Sequence, residues 1–476
     1  MTSNPFNYWD PVIGEQFVGR KEEVEKVARE LAELRRSCAI VGGRKCGKTS
    51  FLKTLQDILL KRLAQAQSRR LHILPVFVNL RDLSQYSIGG VFALMLNTLY
   101  DYFHSPLQRQ TLNLTLEFDL SGTQLEAFVQ NNTQECPLNC FTKMLEELIL
   151  NFFNVHGLLR IVFLLDETGK ILEQLWARDL FSQLRSLIDG EKLRQYLCFV
   201  IAGSSKLREK DEQGSPLWNV NEPVYLISLK DESILEILHQ VTTVPDDFAT
   251  AVLQLCKGHP YLAQYVMYCS WESLQQGSVP ALYEIENRFR IEHMGDLAQW
   301  KADLGEAGLL VYDVLITAND WLSEPEIKQL IQDQTIRSGV TSVLTNLWSY
   351  SLILRNHTWK YRVAGILFQN WFTENVRPSL RSHLPAANKP SLAVLPGEPD
   401  IHIGFHTRIF PTAYWNALTV ERFPLVKCSI DNTGEGCTDA RIVIEATIQG
   451  FGEPYSITLD VPAHQSKDAV LLPTLR

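Results

Sequence analysis

The stretch AIVGGRKCGKTSFLKTL, residues 39–55, passes from an apolar run through glycines, a lysine and a threonine into a helix-period pattern. Gly42, Gly43, Arg44, Lys45, Cys46, Gly47, Lys48 and Thr49 match G-x-x-x-x-G-K-[ST] in full. Glycines let the backbone curl so that its N–H groups converge on an anion, and the helix starting near Lys48 adds its positive end. Lys48 brings a full charge to the outer phosphates of a nucleotide, and Thr49 offers its hydroxyl to magnesium. An accidental glycine turn is the alternative, but a strand before the loop and a helix after it are the context that marks a phosphate loop. The nucleotide-binding set therefore runs from Gly42 to Ser50. Cys46, at a variable position, is read as tolerated and not as a redox switch.

The acidic half of such a site is supplied by RIVFLLDETGK, residues 160–170. An apolar strand that ends in Asp166 and Glu167 puts two carboxylates at the carboxyl edge of a sheet, beside the phosphates. Asp166 is expected to hold magnesium with Thr49. Glu167 is expected to polarise the attacking water, and with Lys48 it makes the catalytic pair. Two solvated acids at a strand end would be unremarkable alone; after a complete phosphate loop they point to ATP hydrolysis.

The composition agrees with a multidomain globular chain. With 476 residues and 45% apolar content, two to four domains are expected. A net charge of -9 argues against a protein that coats nucleic acid or an anionic membrane. No run of about eighteen apolar residues is present, and MTSNPFNYWDPV lacks the basic start and apolar core of a secretion signal, so a cytoplasmic protein without a membrane partner is expected. Nine scattered cysteines do not make a disulfide framework, and Cys136 and Cys140 lack a second pair at zinc-like spacing. N-x-T triplets such as residues 113–115 are chance matches in that setting.

Near-continuous apolar runs at 37–41, 73–79, 160–165, 196–202 and 224–227, separated by helical stretches, predict a parallel sheet covered on both faces. Val24, Val27, Leu31 and Leu34 repeat at helical spacing ahead of it. The polar segment 104–140 reads as a surface insertion. Beyond Lys230, helices dominate: DESILEILHQV, PDDFATAVLQLCKG, closed by Gly258, and PYLAQYVMYCSWESL. Further helices lead to LILRNHTWKYRV, two short strands around Asn356 and His357, which suggests a winged helix. RPSLRSHLPAANKPSLAVLPGEPD is a linker signal, and the alternating runs after it suggest a small β-sandwich. The expected division is an ATPase core at 1–229, a helical lid at 230–279, a winged helix at 280–377, a linker at 378–400 and an immunoglobulin-like β-sandwich at 401–476. In the last, His402 and His406 are read as strand residues and not as a metal pair.

With these motifs in order, residues 17–377 resemble the STAND-type P-loop ATPases, signal-transducing relatives of AAA+ proteins that carry a helical lid and a winged helix. FVGRKEEV resembles their motif ahead of the loop, which implies that Val18, Gly19 and Arg20 line the nucleotide pocket. VGGRKCGKTS and VFLLDE resemble their Walker A and Walker B elements. CKGHPYLAQ resembles the lid motif, which implies that His259 and Pro260 meet the nucleotide. The fourth strand ends in Gly203, Ser204 and Ser205 where many relatives carry a phosphate-sensing arginine, so Ser204 or Ser205 is open either as a polar sensor or as the cap of a turn. Arg185, Arg194 and Arg208 are each open as an arginine finger. The resemblance further implies ATP and ADP as ligands with Mg2+, slow regulated hydrolysis, self-association in the ATP state, and a protein partner or effector in signalling or defence.

The candidate recognition helix GVTSVLTNLWSYSL contains no Lys or Arg, although phosphate positioning on DNA demands them. Arg355, Lys360 and Arg362 on the wing are a small basic set. A relay packed against the ATPase lid therefore fits better than a groove reader. Two other readings stay open: a DNA-binding AAA+ ATPase of the replication-initiator type, and a scaffold that holds ADP without turnover.

Overall fold

A computed structural model describes residues 4–65, 71–104, 120–207, 223–240, 244–383, 400–405, 426–433, 438–446 and 455–471. The chain divides into two compact units, residues 1–388 and 389–476.

The first unit begins with helix α1 (Lys21–Arg29), which buries Val24 and Val27 and leaves its charges outside. Strand β1 (Cys38–Val41) then runs into the glycine loop and helix α2 (Lys48–Gln65). Next come β2 (Leu71–Asn79), α3 (Ile88–His104), α4 (Gln124–Gln130) and α5 (Leu138–His156). The set is completed by β3 (Leu158–Asp166), α6 (Gly169–Leu172), α7 (Ala177–Asp189), β4 (Leu197–Gly203) and β5 (Val224–Tyr225). The five strands pair in parallel in the order β2-β3-β4-β1-β5. Alternation along β1 explains the two covered faces: Ala39 and Val41 join the core under α3, α5 and α7, while Cys38 and Ile40 join the one under α1 and α2. The register Asn79–Asp166 and Val41–Gly203 aligns the strand ends, so the glycine loop and the Walker B acids share one carboxyl edge.

Two expectations are corrected here. The segment 104–140 is not a surface insertion throughout, because Leu120, Leu125, Phe128 and Cys136 are buried in the α3 and α5 core; residues 105–119 lie outside the described residues. The fifth strand stops at Tyr225, although Leu226 still donates its N–H to the Val41 carbonyl at 2.7 Å.

Helices α8 (Asp231–His239), α9 (Asp246–Cys256), α10 (Pro260–Gln275), α11 (Leu282–Glu292) and α12 (Met294–Ala318) follow. Then come β6 (Leu322–Ser323), α13 (Glu324–Leu330), α14 (Gln334–Ser349), β7 (Ile353–Arg355), β8 (Lys360–Val363), α15 (Ile366–Asn375) and α16 (Arg377–His383). The small sheet has the order β6-β8-β7, and Asn356 Oδ1 shapes the hairpin by accepting from the N–H groups of Thr358 and Lys360. Ile234, Trp300, Leu344 and Phe372 belong to a single core, so the helices expected as lid and as winged helix are packed as one body. Gly305 (φ 62°, ψ 179°) breaks α12 just after Asp303. Helix α16 occupies the first residues of the proline-rich stretch expected as linker.

In the second unit, β9 (Asp400–Phe405), β10 (Val426–Asn432) and β13 (Gln465–Leu471) form one antiparallel sheet, and β11 (Ala440–Ala446) with β12 (Tyr455–Val461) forms another. Cys428 and Ile430 of the first pack with Val461, Ile442 and Leu459 of the second. His402 lies on β9, and His406 lies outside the described residues.

In the helical body, Asp313 is fully buried and forms an ion pair with the Arg377 guanidinium at 2.7 Å, fastening α16 to α12. Removing one partner of such a pair strands a buried charge. Asp313→Ala is expected to lower unfolding free energy by about 3 kcal/mol in urea, and adding Arg377→Met to recover a large part of that loss.

Candidate functional site

The glycine loop is shaped by backbone geometry first. Lys45 (φ 63°) and Gly47 (φ 88°) sit in the left-handed region and turn the chain back towards α2. Gly42 N–H donates to the Gly203 carbonyl at 3.0 Å, tying the loop to β4. The buried Arg20 guanidinium donates to the carbonyls of Cys46 and of Ile227, the latter at 2.6 Å. Arg20 is thus a staple that braces the loop from beneath.

The acidic edge meets this loop directly. Thr49 Oγ1 donates to Asp166 Oδ2 at 2.6 Å, and Asp166 is 2% exposed. Lys48 Nζ donates to the carbonyls of Gly42 at 3.1 Å and Gly43 at 2.7 Å. Burial pulls the Lys48 ammonium below its ordinary value, and Cys46, Asp166 and Glu167 partly offset that. Among the described residues the ammonium donates to carbonyls and sits in no ion pair, which suits an anionic ligand. The hydroxyl–carboxylate pair Thr49–Asp166 is an all-oxygen donor set, which suits magnesium. Glu167 takes φ 59°, its N–H donates to Asp166 Oδ1 at 2.9 Å, and its carboxylate pairs with Arg81 at 2.8 Å. Both side chains of that pair are well exposed, so it contributes at most about 1 kcal/mol.

These groups open into a cavity of about 810 Å³. Of the residues expected from sequence, Val18, Arg20, Arg44, Lys45, Gly47, Lys48, Thr49 and Ser50 line it, together with Asp166, Glu167, Ser204 and Pro260. The remaining five stand behind the wall. Gly19 packs on Ser233, where an added Cβ would come within 2.7 Å. Gly42 is bonded to β4, while Gly43 and Cys46 face the end of α14. His259 is buried, with its ring 5.2 Å from Trp300 and no hydrogen-bond partner for either ring nitrogen. Burial, aided by the Arg20 charge, lowers its pKa from the ordinary 6.5 to about 3. It is a neutral core residue beside Gly258, which has φ 83° and leaves only 2.4 Å between an added Cβ and the Leu229 carbonyl. Among the arginine-finger candidates, Arg185 pairs with Asp189 on its own helix at 2.8 Å, and Arg208 lies outside the described residues.

The helical body closes over the loop through α14. Gly43 N–H donates to the Ser349 carbonyl at 2.7 Å, and an added Cβ on Gly43 would lie 2.6 Å from the Tyr350 Cα and ring. The Cys46 thiol packs 3.7 Å from the Ser349 carbonyl and 3.8 Å from the Ser351 hydroxyl. Ser205, at the end of β4, donates to Asn346 Oδ1 at 2.5 Å. The loop's long side chains reach the same body, Arg44 towards Asp303 at 3.8 Å and Lys45 over the Tyr261 ring at 4.7 Å. Tyr350 also donates to Asp303, at 3.2 Å.

On the hairpin, Arg355 lies between the rings of Trp348 (3.9 Å) and Trp359 (4.2 Å). Lys360 pairs with Glu326 at 3.7 Å, and Arg362 is exposed. Sequence reasoning missed Arg81, Asp303, Tyr350 and the cavity-lining stretch Asn7–Val12, none of which falls in a motif, and Tyr261, which stands next to Pro260 inside CKGHPYLAQ. For Tyr261 the signal was its place in that motif, and for Arg81 its place just past a strand that ends at the same edge.

A family model described as an AAA-like domain matches residues 12–277. No curated protein matches. Among solved structures the chain is similar to the ORC2 protein of Aeropyrum pernix, described as ADPNP–ADP complexes, at 14% identity and a TM-score of 0.46, covering 79% of this chain and 97% of that one. No helix among the described residues is long and apolar enough to cross a membrane.

Two outcomes follow from this geometry. Burial raises the Cys46 thiol above its ordinary value, so it is protonated near neutrality as well as covered. In the native chain Cys46 should resist alkylation, and Gly43→Ala, which wedges Tyr350 away, should speed its labelling by about tenfold, read by peptide mass spectrometry. For His259 the folded state refuses a proton that the unfolded chain accepts below about pH 6.5, so stability falls as pH drops through that window towards 3. His259→Phe should remove about one proton's worth of that slope in denaturation measured from pH 7 to 5.

Proposed function

The chain belongs to the AAA-like domain family, and on that premise we propose that it is a nucleotide-operated switch of the signal-transducing P-loop ATPase type, in which α14 senses the state of the phosphate loop. The observation that carries this reading is the bond from the Gly43 amide to the Ser349 carbonyl, with Tyr350 seated on Gly43. A loop that bonds a second body on its outer side can report what occupies its inner side, because both depend on one backbone conformation.

In this mechanism Lys48 and the loop amides hold the phosphates of ATP or ADP. Thr49 and Asp166 would hold magnesium, which when bound would neutralise phosphate charge. Glu167 takes a proton from water as general base once Arg81 lets it go, at a cost of at most about 1 kcal/mol. Ser204 faces the cavity as a polar sensor, while its neighbour Ser205 holds Asn346 of α14, so a shift at the end of β4 is felt directly by that helix. Release of α14 frees a surface for self-association or an effector.

The hairpin supports a relay more than a reader of DNA. Arg355 is stacked between two indoles and Lys360 is paired, which leaves Arg362 as the exposed cation of the three expected there. A scaffold that never turns over would have no use for a glutamate poised beside Asp166. The test is ATP turnover of wild type beside Glu167→Gln, with size-exclusion chromatography in ATP and magnesium. Turnover reduced by about 100-fold or more in the variant, with a larger species in ATP than in ADP, is the expected result. Equal rates in the two proteins, or a single monomeric peak in both nucleotides, would contradict it.

A further inference from the structure

Four flat groups form a column from the edge strand of the large sheet to the tip of the hairpin. Tyr225 of β5 meets Trp348 of α14 with ring centroids 5.7 Å apart. The Arg355 guanidinium lies over Trp348 at 3.9 Å, and the Trp359 ring follows it at 4.2 Å. None of the four lines the nucleotide cavity. The column nevertheless ends on both flanks of the phosphate loop. Tyr225 pairs in register with Val41, the residue before Gly42, and Trp348 precedes Ser349, whose carbonyl accepts the Gly43 N–H.

The outer end of this column is strained. Trp359 takes φ 59°, a left-handed backbone position that a bulky side chain disfavours and a glycine accepts. Asn356 shapes the turn in that form, its carbonyl accepting the Trp359 N–H at 3.2 Å. The indole is 64% exposed, so burial in a core does not explain why tryptophan stands there. What the conformation achieves is to lay the ring over the Arg355 guanidinium. A planar, delocalised cation can face an aromatic ring on each side at once, which a lysine ammonium cannot do. Across the hairpin, Arg355 is opposite the buried Tyr361, which fixes the guanidinium's strand in the body of the module.

We propose that Arg355 and Trp359 are positioning residues for the phosphate loop: through Trp348 they hold the end of α14 against Gly43, so that the hairpin is the lever by which an event at the surface of the helical body reaches the loop. The proposal rests on the relay reading above and adds the route by which the hairpin enters it. It also separates two uses of one cation. A reader of nucleic acid needs charge at residue 355, and lysine supplies charge. The column needs a plane at residue 355, and lysine has none.

The experiment is the alkylation rate of Cys46 in the full chain without nucleotide, read by peptide mass spectrometry. Cys198 of β4 and Cys256 of α9, one in each half of the unit and both buried, serve as references. Trp359→Gly relaxes the turn while removing the ring, and Arg355→Lys keeps the charge while removing the plane. Each should speed Cys46 labelling by about fivefold and leave both references within about twofold of wild type. Trp359→Phe keeps a flat ring and should stay within about twofold of wild type at Cys46. Unchanged Cys46 labelling in the first two variants would overturn the proposal. A parallel rise at all three cysteines would also overturn it, since the column would then be ordinary packing, and so would a Trp359→Phe rate as fast as that of Trp359→Gly. No nucleotide is added, so these outcomes stand apart from the Glu167→Gln comparison, in which failure of the ATPase reading shows by itself.

Discussion

The hydrogen bond from Gly43 N–H to the Ser349 carbonyl is the joint on which the two halves of the first unit meet. It forms only because residue 43 has no side chain, so the end of α14 can approach the phosphate loop closely enough for Tyr350 to rest on it. One such bond contributes about 1 kcal/mol net, and the buried Tyr350 ring adds a few more. The Ser205–Asn346 bond and the weak Arg44–Asp303 pair contribute similar small amounts. A contact of this size is firm enough to be populated and small enough to be released. Moving a two-state equilibrium from 1:99 to 99:1 needs about 5.5 kcal/mol of differential binding, which on the proposed reading a triphosphate held by the loop, Lys48 and a magnesium ion would have to supply.

The cavity is built by both halves and by the stretch Asn7–Val12. Its sheet-derived wall carries Lys48, Thr49, Asp166 and Glu167; its helical wall carries Pro260, Tyr261, Gln264 and Asp303. On the proposed reading, displacing the helical body would dismantle one side of the nucleotide site, and filling that site would bias the body. Gly305 breaks α12 two residues after Asp303, so the segment that faces Arg44 ends at a backbone position few other residues tolerate. Arg81 restrains Glu167 through a pair that water screens, a restraint that can be undone without a large penalty.

Much of this was legible in the sequence where a motif fixed backbone and chemistry together. The five strands were read from apolar runs, and Gly42–Thr49 with Asp166 fixed the loop and its acid. Helices from Asp231 onward and the hairpin at Asn356 followed from period and turn chemistry. What escaped depends on tertiary contact. Gly43 and Cys46 look like loop residues but meet α14, and His259 looks like a ligand contact but sits in a core beside Trp300, driven there by the tight turn at Gly258. The stretch Asn7–Val12 carries no periodic or motif signal, and its place at the cavity comes from hydrogen bonds to Gln264 and Ser50, far away in sequence. Leu120–Cys136 was misread because a short, polar-looking segment buried only a few residues under α3 and α5.

The most direct test of the joint is amide hydrogen exchange at Gly43 and across residues 343–351, compared in ADP and in a non-hydrolysable ATP analogue with magnesium. Gly43 N–H should be protected in ADP and exchange at least about tenfold faster in the triphosphate, in step with faster exchange at the end of α14. Equal protection of Gly43 in both nucleotides would mean that α14 is fixed to the loop whatever the loop holds, and the relay would be contradicted.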